Sequence, residues 1–294
     1  MPETDDTVGH DSAEPIESGI RVVPCNSWAQ FISELKARRE TPSRFRGLQY
    51  SSYELIATID RVAVNQVVEM AEIGLEMGSP LETSRVLQRA VMERFKRRVV
   101  GIAADRVDRA IDENEIWALG RHHGLHTPLL DWSSSPYVAA FFAFAGRIEP
   151  DHGGIRRPIG PDVAVWQLNE TLDLWIESEF ESPDIRRDDF DRQNSQAGTF
   201  TRLDHPSHIN VRSYLESRGL GAALVKYEIP VTASQEALPD LDDMNINYQR
   251  LFPDLEGAAR QANLDGSLGI MRILSNVPPR WREFVEERGL NKPT

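Results

Sequence analysis

Arg121-His-His-Gly-Leu-His-Thr-Pro-Leu-Leu-Asp-Trp-Ser-Ser-Ser-Pro136 leads without a break into Tyr137-Val-Ala-Ala-Phe-Phe-Ala-Phe-Ala145. Gly124 and Pro128 break any helix arriving from the N-terminal side, so a loop is expected there. Pro136 suits the first position of a new helix, where its missing N–H is no loss. The run from Tyr137 is apolar nearly all round, which predicts a buried helix. This stretch divides the chain. Helical spacing dominates before it, and β-branched and aromatic runs recur after it. That order predicts an α+β fold with a mixed or antiparallel sheet and a helical N-terminal half.

Working outward toward the N-terminus, short and long helices are expected at 113–120 and 82–100, the longer one carrying Val86, Leu87, Ala90, Val91 and Phe95. Val64, Val67, Val68, Ala71 and Leu75 predict a further helix over 62–78, stopped by Gly78 and Pro80. Arg44 to Gln49 reads as a strand. Ser27 and Gln30 form a capping-box pattern ahead of Trp28, Phe31, Ile32 and Leu35, which share one helical face. Ile20 to Val23 is strand-like, and the acidic residues 1–19 are expected to be disordered. Toward the C-terminus, 163–168, 198–202 and 222–229 read as strands. Helices are expected near 211–218, 253–263 and 279–288, and 149–161 reads as a loop. The expected organisation is a tail at 1–19, one domain over 20–265, and a C-terminal helix and tail over 266–294.

Composition bounds the function. The chain has 294 residues, 40% hydrophobic and 27% charged, enough apolar material for a core. No run approaches the roughly 18 apolar residues that span a bilayer, so no membrane partner is expected. Cys25 is the single cysteine, which excludes an internal disulfide and a cysteine-based metal cluster. These features together predict a soluble, cytoplasmic protein. A formal charge of −13 argues against general nucleic-acid binding. The basic run from Arg89 to Arg109 reads as a solvated helix face, or alternatively as a rim for an anionic ligand. His122 and His126 lie four apart, but Gly124 and Pro128 argue against the helix that would join them at a metal, so no metal site is expected. The absence of GxSxG, P-loop and GxGxxG patterns argues against hydrolase, NTPase and dinucleotide-fold readings.

Seven segments in order carry a resemblance. They are Ser27-Trp28 with its helix, Arg44-Phe-Arg-Gly-Leu-Gln49, Tyr53-Glu-Leu-Ile56 with Arg61, the 121–136 stretch, Ala139-Ala-Phe-Phe-Ala143, Arg192-Gln-Asn-Ser-Gln-Ala-Gly-Thr-Phe-Thr201 and Leu251-Phe-Pro-Asp-Leu-Glu-Gly257. Spread over about residues 20–260, they resemble the FRG domain. In that family the central stretch commonly reads Gln-His-Tyr-Gly-Leu-Pro-Thr-Arg-Leu-Leu-Asp-Trp-Thr. This chain departs at Arg121, His126 and Pro128, and the last departure removes a positive charge.

A second, motif-level similarity is to ADP-ribosyltransferases, which carry an aromatic-Arg-Gly triplet on one strand, a hydroxyl cluster on a second, and a Glu at the start of a later one. That similarity implies NAD as a substrate, with no tightly bound cofactor. Arg46 would supply a guanidinium fork to the pyrophosphate or ribose. Gly47 would let the backbone approach the ligand. Ser133 and Ser134, with Ser135, would hold the nicotinamide ribose. A carboxylate should stabilise the oxocarbenium-like cation. The matching position offers Gln196, which can hydrogen-bond a ribose hydroxyl but cannot balance a cation; Glu228 and Glu256 are the fallbacks. The implied catalytic set is Arg46, Ser133, Ser134 and Gln196. Phe45, Gly47, His123, Gly124, Asp131 and Trp132 would bind the nucleotide. Two readings stay open: an ADP-ribosyltransferase-like enzyme, or a non-catalytic ligand-binding or sensor module of a bacterial stress or phage-defence system. The same residues also have structural readings. Arg46 suits a strand-end ion pair, Ser133 to Ser135 suit a helix N-cap, and Trp132 suits the core. Asp131 suits a loop anchor bonded by Arg46, backbone donors or His123.

Overall fold

A computed structural model describes residues 19–38, 42–108, 110, 112–148, 160–176, 179–185 and 197–275. Nearly all of the acidic tail, most of the loop expected at 149–161, Gln196 and the helix expected at 279–288 lie outside the described residues.

Seven strands form one mixed sheet: β1 Arg21–Pro24, β2 Ser43–Leu48, β3 Leu129–Ser133, β4 Asp162–Asn169, β5 Phe180–Glu181, β6 Gly198–Leu203 and β7 Leu224–Pro230. Their spatial order is β1-β7-β4-β2-β3-β6-β5. The β1–β7 pair is parallel and the remaining ladders are antiparallel. The α+β reading is therefore correct, including the helical N-terminal half. That half holds α1 Trp28–Arg38, α2 Thr58–Glu72, α3 Pro80–Asp108, α4 Glu113–His122 and α5 Pro136–Ile148. Later come α6 Val211–Ser217, α7 Ser234–Asp243, α8 Tyr248–Leu251 and α9 Leu255–Ser275. The domain boundary expected at 265 falls inside α9.

Local chemistry explains the helix starts. Ser27 Oγ accepts from Gln30 N at 3.2 Å while Gln30 Oε1 accepts from Asn26 N at 2.8 Å, a reciprocal cap for α1. Asp112 caps α4 by accepting from Glu115 N at 3.0 Å. Three apolar clusters follow. One lies between the sheet and α1, α5 and α7, with Phe31, Phe45, Phe144 and Tyr227 buried in it. The second, around Leu48, Trp132 and Trp166, takes in Tyr214 and Leu215 of α6. The third joins Ile59, Met92 and Trp117 of α2, α3 and α4 to Leu129 and Phe200 of β3 and β6.

Several expectations need correction. The helix expected over 62–78 is α2, displaced toward the N-terminus, because it is the early residues Ile59 and Ala63 that find the core. Val68 and Leu75, two of the apolar residues that mark that helix in the sequence, are 51% and 56% exposed. Asp131 and Trp132, expected to frame the end of the loop, lie inside β3, since the loop ends at Pro128 and cross-strand pairing with β6 begins at Leu129. Three elements had no clear sequence pattern: the two-residue β5, the single-turn α8, and α7, which carries Pro239 in its interior. No helix among the described residues is long and apolar enough to cross a membrane.

Candidate functional site

The site begins where the sheet opens. β2 pairs with β4 at six successive positions from Ser43 to Leu48, but meets β3 only at Phe45 opposite Ser133. β3 turns instead to β6 and pairs with it over its full length. The sheet is thus two half-sheets, β1-β7-β4-β2 and β3-β6-β5, hinged at one residue pair. α5 leaves the end of β3 and packs on β2 and β4, spanning the division. A cleft of about 540 Å³ opens at the split. Its walls come from β2, from α4 and the turn after it, from β3 and β6, and from Phe142 of α5 and Phe252 of the α8–α9 turn.

Charge is concentrated on one carboxylate of this cleft. Arg121 grips Asp131 in a fork, with Nε donating to Oδ1 at 2.9 Å and Nη2 to Oδ2, while its Nη1 donates to Thr58 Oγ1. From across the split, Arg46 Nη1 donates to the Asp131 backbone carbonyl at 2.6 Å and sits 3.5 Å from its carboxylate. A side chain therefore bridges the strands just where the ladder stops. Arg61, half-buried on α2, stands near enough to both Arg121 and Asp131 to feel their charge. Burial pushes the Arg46 guanidinium down to about 10, with Arg121 and Arg61 adding to the fall and Asp131 opposing it. Arg61 is lowered for the same reasons, burial first and then Arg121. Arg121 is raised by Asp131. Burial alone would raise the Asp131 carboxyl, but Arg121 and Arg46 overrule it and hold it below its ordinary value. Two guanidinium groups thus hold one ionised carboxylate, with a third, Arg61, close enough to add to the positive field.

Residues 41–152 match the family model of the FRG domain. This chain carries an FRG domain. No curated protein and no solved structure matches it. The matched stretch runs from just before β2 to just past α5, so it contains both strands of the split. Gly198, Thr199, Phe200 and Phe252 complete the cleft from outside the matched FRG region.

The residues singled out from the sequence fall into three groups. Phe45, Arg46, Gly47, Gly124, Asp131, Trp132 and Ser133 all line the cleft. Within that group Gly47 has a cause other than ligand approach: a Cβ there would lie 1.8 Å from the Ala139 carbonyl oxygen, so the glycine of the Phe-Arg-Gly triplet admits α5 onto β2. Trp132 is 2% exposed and donates from Nε1 to Thr201 Oγ1 at 2.8 Å, which makes most of it core.

Ser134 and His123 lie outside the cleft lining. Ser134 is exposed, and its N–H closes onto Ala197 O at 3.0 Å. His123 is exposed at the C-terminal end of α4, so the partner of Asp131 is Arg121 and not the imidazole. The hydroxyl run also works as a helix start, with Ser133 Oγ accepting from Ser135 N at 3.0 Å and Ser135 Oγ from Val138 N at 3.3 Å. Gln196 lies outside the described residues, and neither fallback lines the cleft. Glu228 pairs with Lys226 at 2.7 Å on β7, and Glu256 is exposed in the first turn of α9. Sequence reasoning passed over Arg121, Thr58, Phe142 and Phe252 as site residues. For Arg121 a signal existed: it is the one departure in the central stretch that adds a cation, against the one Pro128 removes.

Proposed function

We propose that the cleft of the FRG domain binds an anionic nucleotide, with NAD the ligand to test, and holds it without transferring ADP-ribose. The carrying observation is the surplus of cation: Arg46 and Arg121 both reach the single carboxylate Asp131, and Arg61 adds charge nearby, within a chain of net charge −13. Guanidinium groups sharing one carboxylate retain donors and charge for a pyrophosphate, which they match with planar paired geometry. The cleft volume of about 540 Å³ suits a ligand of this size. The split between an Arg-bearing strand and a Ser-ended strand supports an ADP-ribosyltransferase-like arrangement of that ligand. Transfer is less well supported. Asp131, the carboxylate of the cleft lining, is already neutralised by its arginines, and Gln196 cannot balance an oxocarbenium charge.

Isothermal titration with NAD, followed by chromatography of the mixture for free nicotinamide, tests this. Saturable binding with intact NAD is expected, and Arg121→Gln should weaken it at least tenfold. Absence of saturable binding would end the nucleotide reading, and release of nicotinamide would replace the binding module with an enzyme.

A further inference from the structure

Besides its charged centre, the cleft has an aromatic wall. Phe142 of α5 and Phe252 of the α8–α9 turn both line it, with ring centroids 6.1 Å apart and planes nearly perpendicular. Both rings are only partly buried, so aromatic surface is left for a ligand. Phe252 is held firmly. The Arg260 guanidinium lies 5.4 Å from its ring and Tyr248 5.9 Å from it. Its N–H donates to Tyr248 O and its carbonyl accepts from Asp254 N, both at 2.8 Å. α9 lies directly on this turn, because a Cβ at Gly257 would come within 2.0 Å of Phe252 O. A ring fixed in place before the ligand arrives loses little freedom on binding.

We infer that Phe252, which lies outside the matched FRG region, is the specificity residue that holds the planar ring of the ligand while the Arg121–Asp131–Arg46 cluster holds its anionic part. This rests on the nucleotide reading and narrows it: a simple phosphate or sugar phosphate would use the guanidinium groups and leave the aromatic wall idle. A base stacked on an aromatic side chain gains stabilisation that every π-face can provide. The ligand class is therefore an anion joined to an aryl ring.

The test compares NAD with inorganic pyrophosphate, the latter measured by displacement of NAD, in the intact chain and in Phe252→Leu and Phe252→Tyr. Leucine keeps apolar bulk and removes the π-face. It should weaken NAD roughly tenfold, in the range of a lost base–aromatic stack, and leave pyrophosphate within twofold. Tyrosine should restore NAD. Equal weakening of both ligands by Phe252→Leu, or no weakening of NAD, would overturn the role of Phe252 while leaving the nucleotide reading standing. Failure of the unaltered chain to bind NAD would remove both.

Discussion

Asp131 is gripped by Arg121 and approached by Arg46 while 41% of its side chain stays exposed, and that combination sets the cost of losing it. Asp131→Ala would leave Arg121 and Arg46 without their shared counter-charge. A sealed ion pair broken on one side costs more, but solvent screens this site, so a loss of about 1–3 kcal/mol in urea-denaturation stability is expected. Arg46→Met should behave differently. It keeps the volume, relieves the repulsion from Arg121 and Arg61, and leaves Asp131 with Arg121. Its stability should stay within about 1 kcal/mol of the parent while NAD binding is lost. A large drop in stability with binding retained would make Arg46 structural. Asp60 gives a pH signature. It is 5% exposed, with Ser84 donating to it and Gln88, Arg202 and Asp204 near, and burial raises its carboxyl from 3.8 to about 6. The folded chain thus holds this proton more tightly than the unfolded chain does. Stability is lost as pH rises from 3.8 through about 6 and stays lost above it. Between pH 5 and pH 7.5 the loss should be on the order of 1 kcal/mol, and Asp60→Asn should remove that part of the slope. Asp131 was legible as a partly buried group in need of partners. Arg121 was not legible as its partner, because the nine residues between them turn from helix to strand and no periodicity links the two.

Helix and strand patterns carried most elements because burial reinforced them. α5 was readable since every face of it meets protein, and β2 since Phe45 and Leu48 are buried in neighbouring clusters. α7 was not, because Pro239 argues against a helix interior and only tertiary burial of Ala237, Leu238 and Leu241 overrides it. The contact between β2 and α5 fixes the triplet's glycine. The added methyl of Gly47→Ala would meet the Ala139 carbonyl at 1.8 Å and Ala143 N at 2.9 Å, and neither backbone atom can turn aside. α5 would have to lift from the sheet, disturbing Phe45, Phe141 and Phe144 together. A loss of about 3 kcal/mol or more is expected, read from the urea midpoint, with loss of folding as the extreme. Ready tolerance of alanine would mean that the helix can slide, and the packing account of the glycine would fail.

At the scale of the whole molecule the two half-sheets meet at one residue pair and are bridged by Arg46 and α5, and this arrangement is what makes a cleft. No local pattern announces it, since the neighbours of β2 in space are β4, far along the chain, and β3, met only at Ser133. What the sequence did show was a pair of motifs, 45–47 and 121–132, that the fold brings to opposite sides of one opening. Charge is arranged on two scales as well. The chain carries −13 overall, while its cleft sets Arg46 and Arg121 on Asp131, with Arg61 adding charge nearby. The long-range field should therefore repel an anionic nucleotide that the short-range field attracts. Added salt screens the first more than the second, because the Debye length falls from about 30 Å at 10 mM to about 8 Å at 150 mM, still longer than a contact inside the cleft. The association rate constant for NAD, measured by stopped flow over that range, should stay flat or rise. A steep fall would instead show that an extended basic surface steers the ligand, and the exposed arginines of α3, such as Arg89, Arg94, Arg97 and Arg98, would be its source.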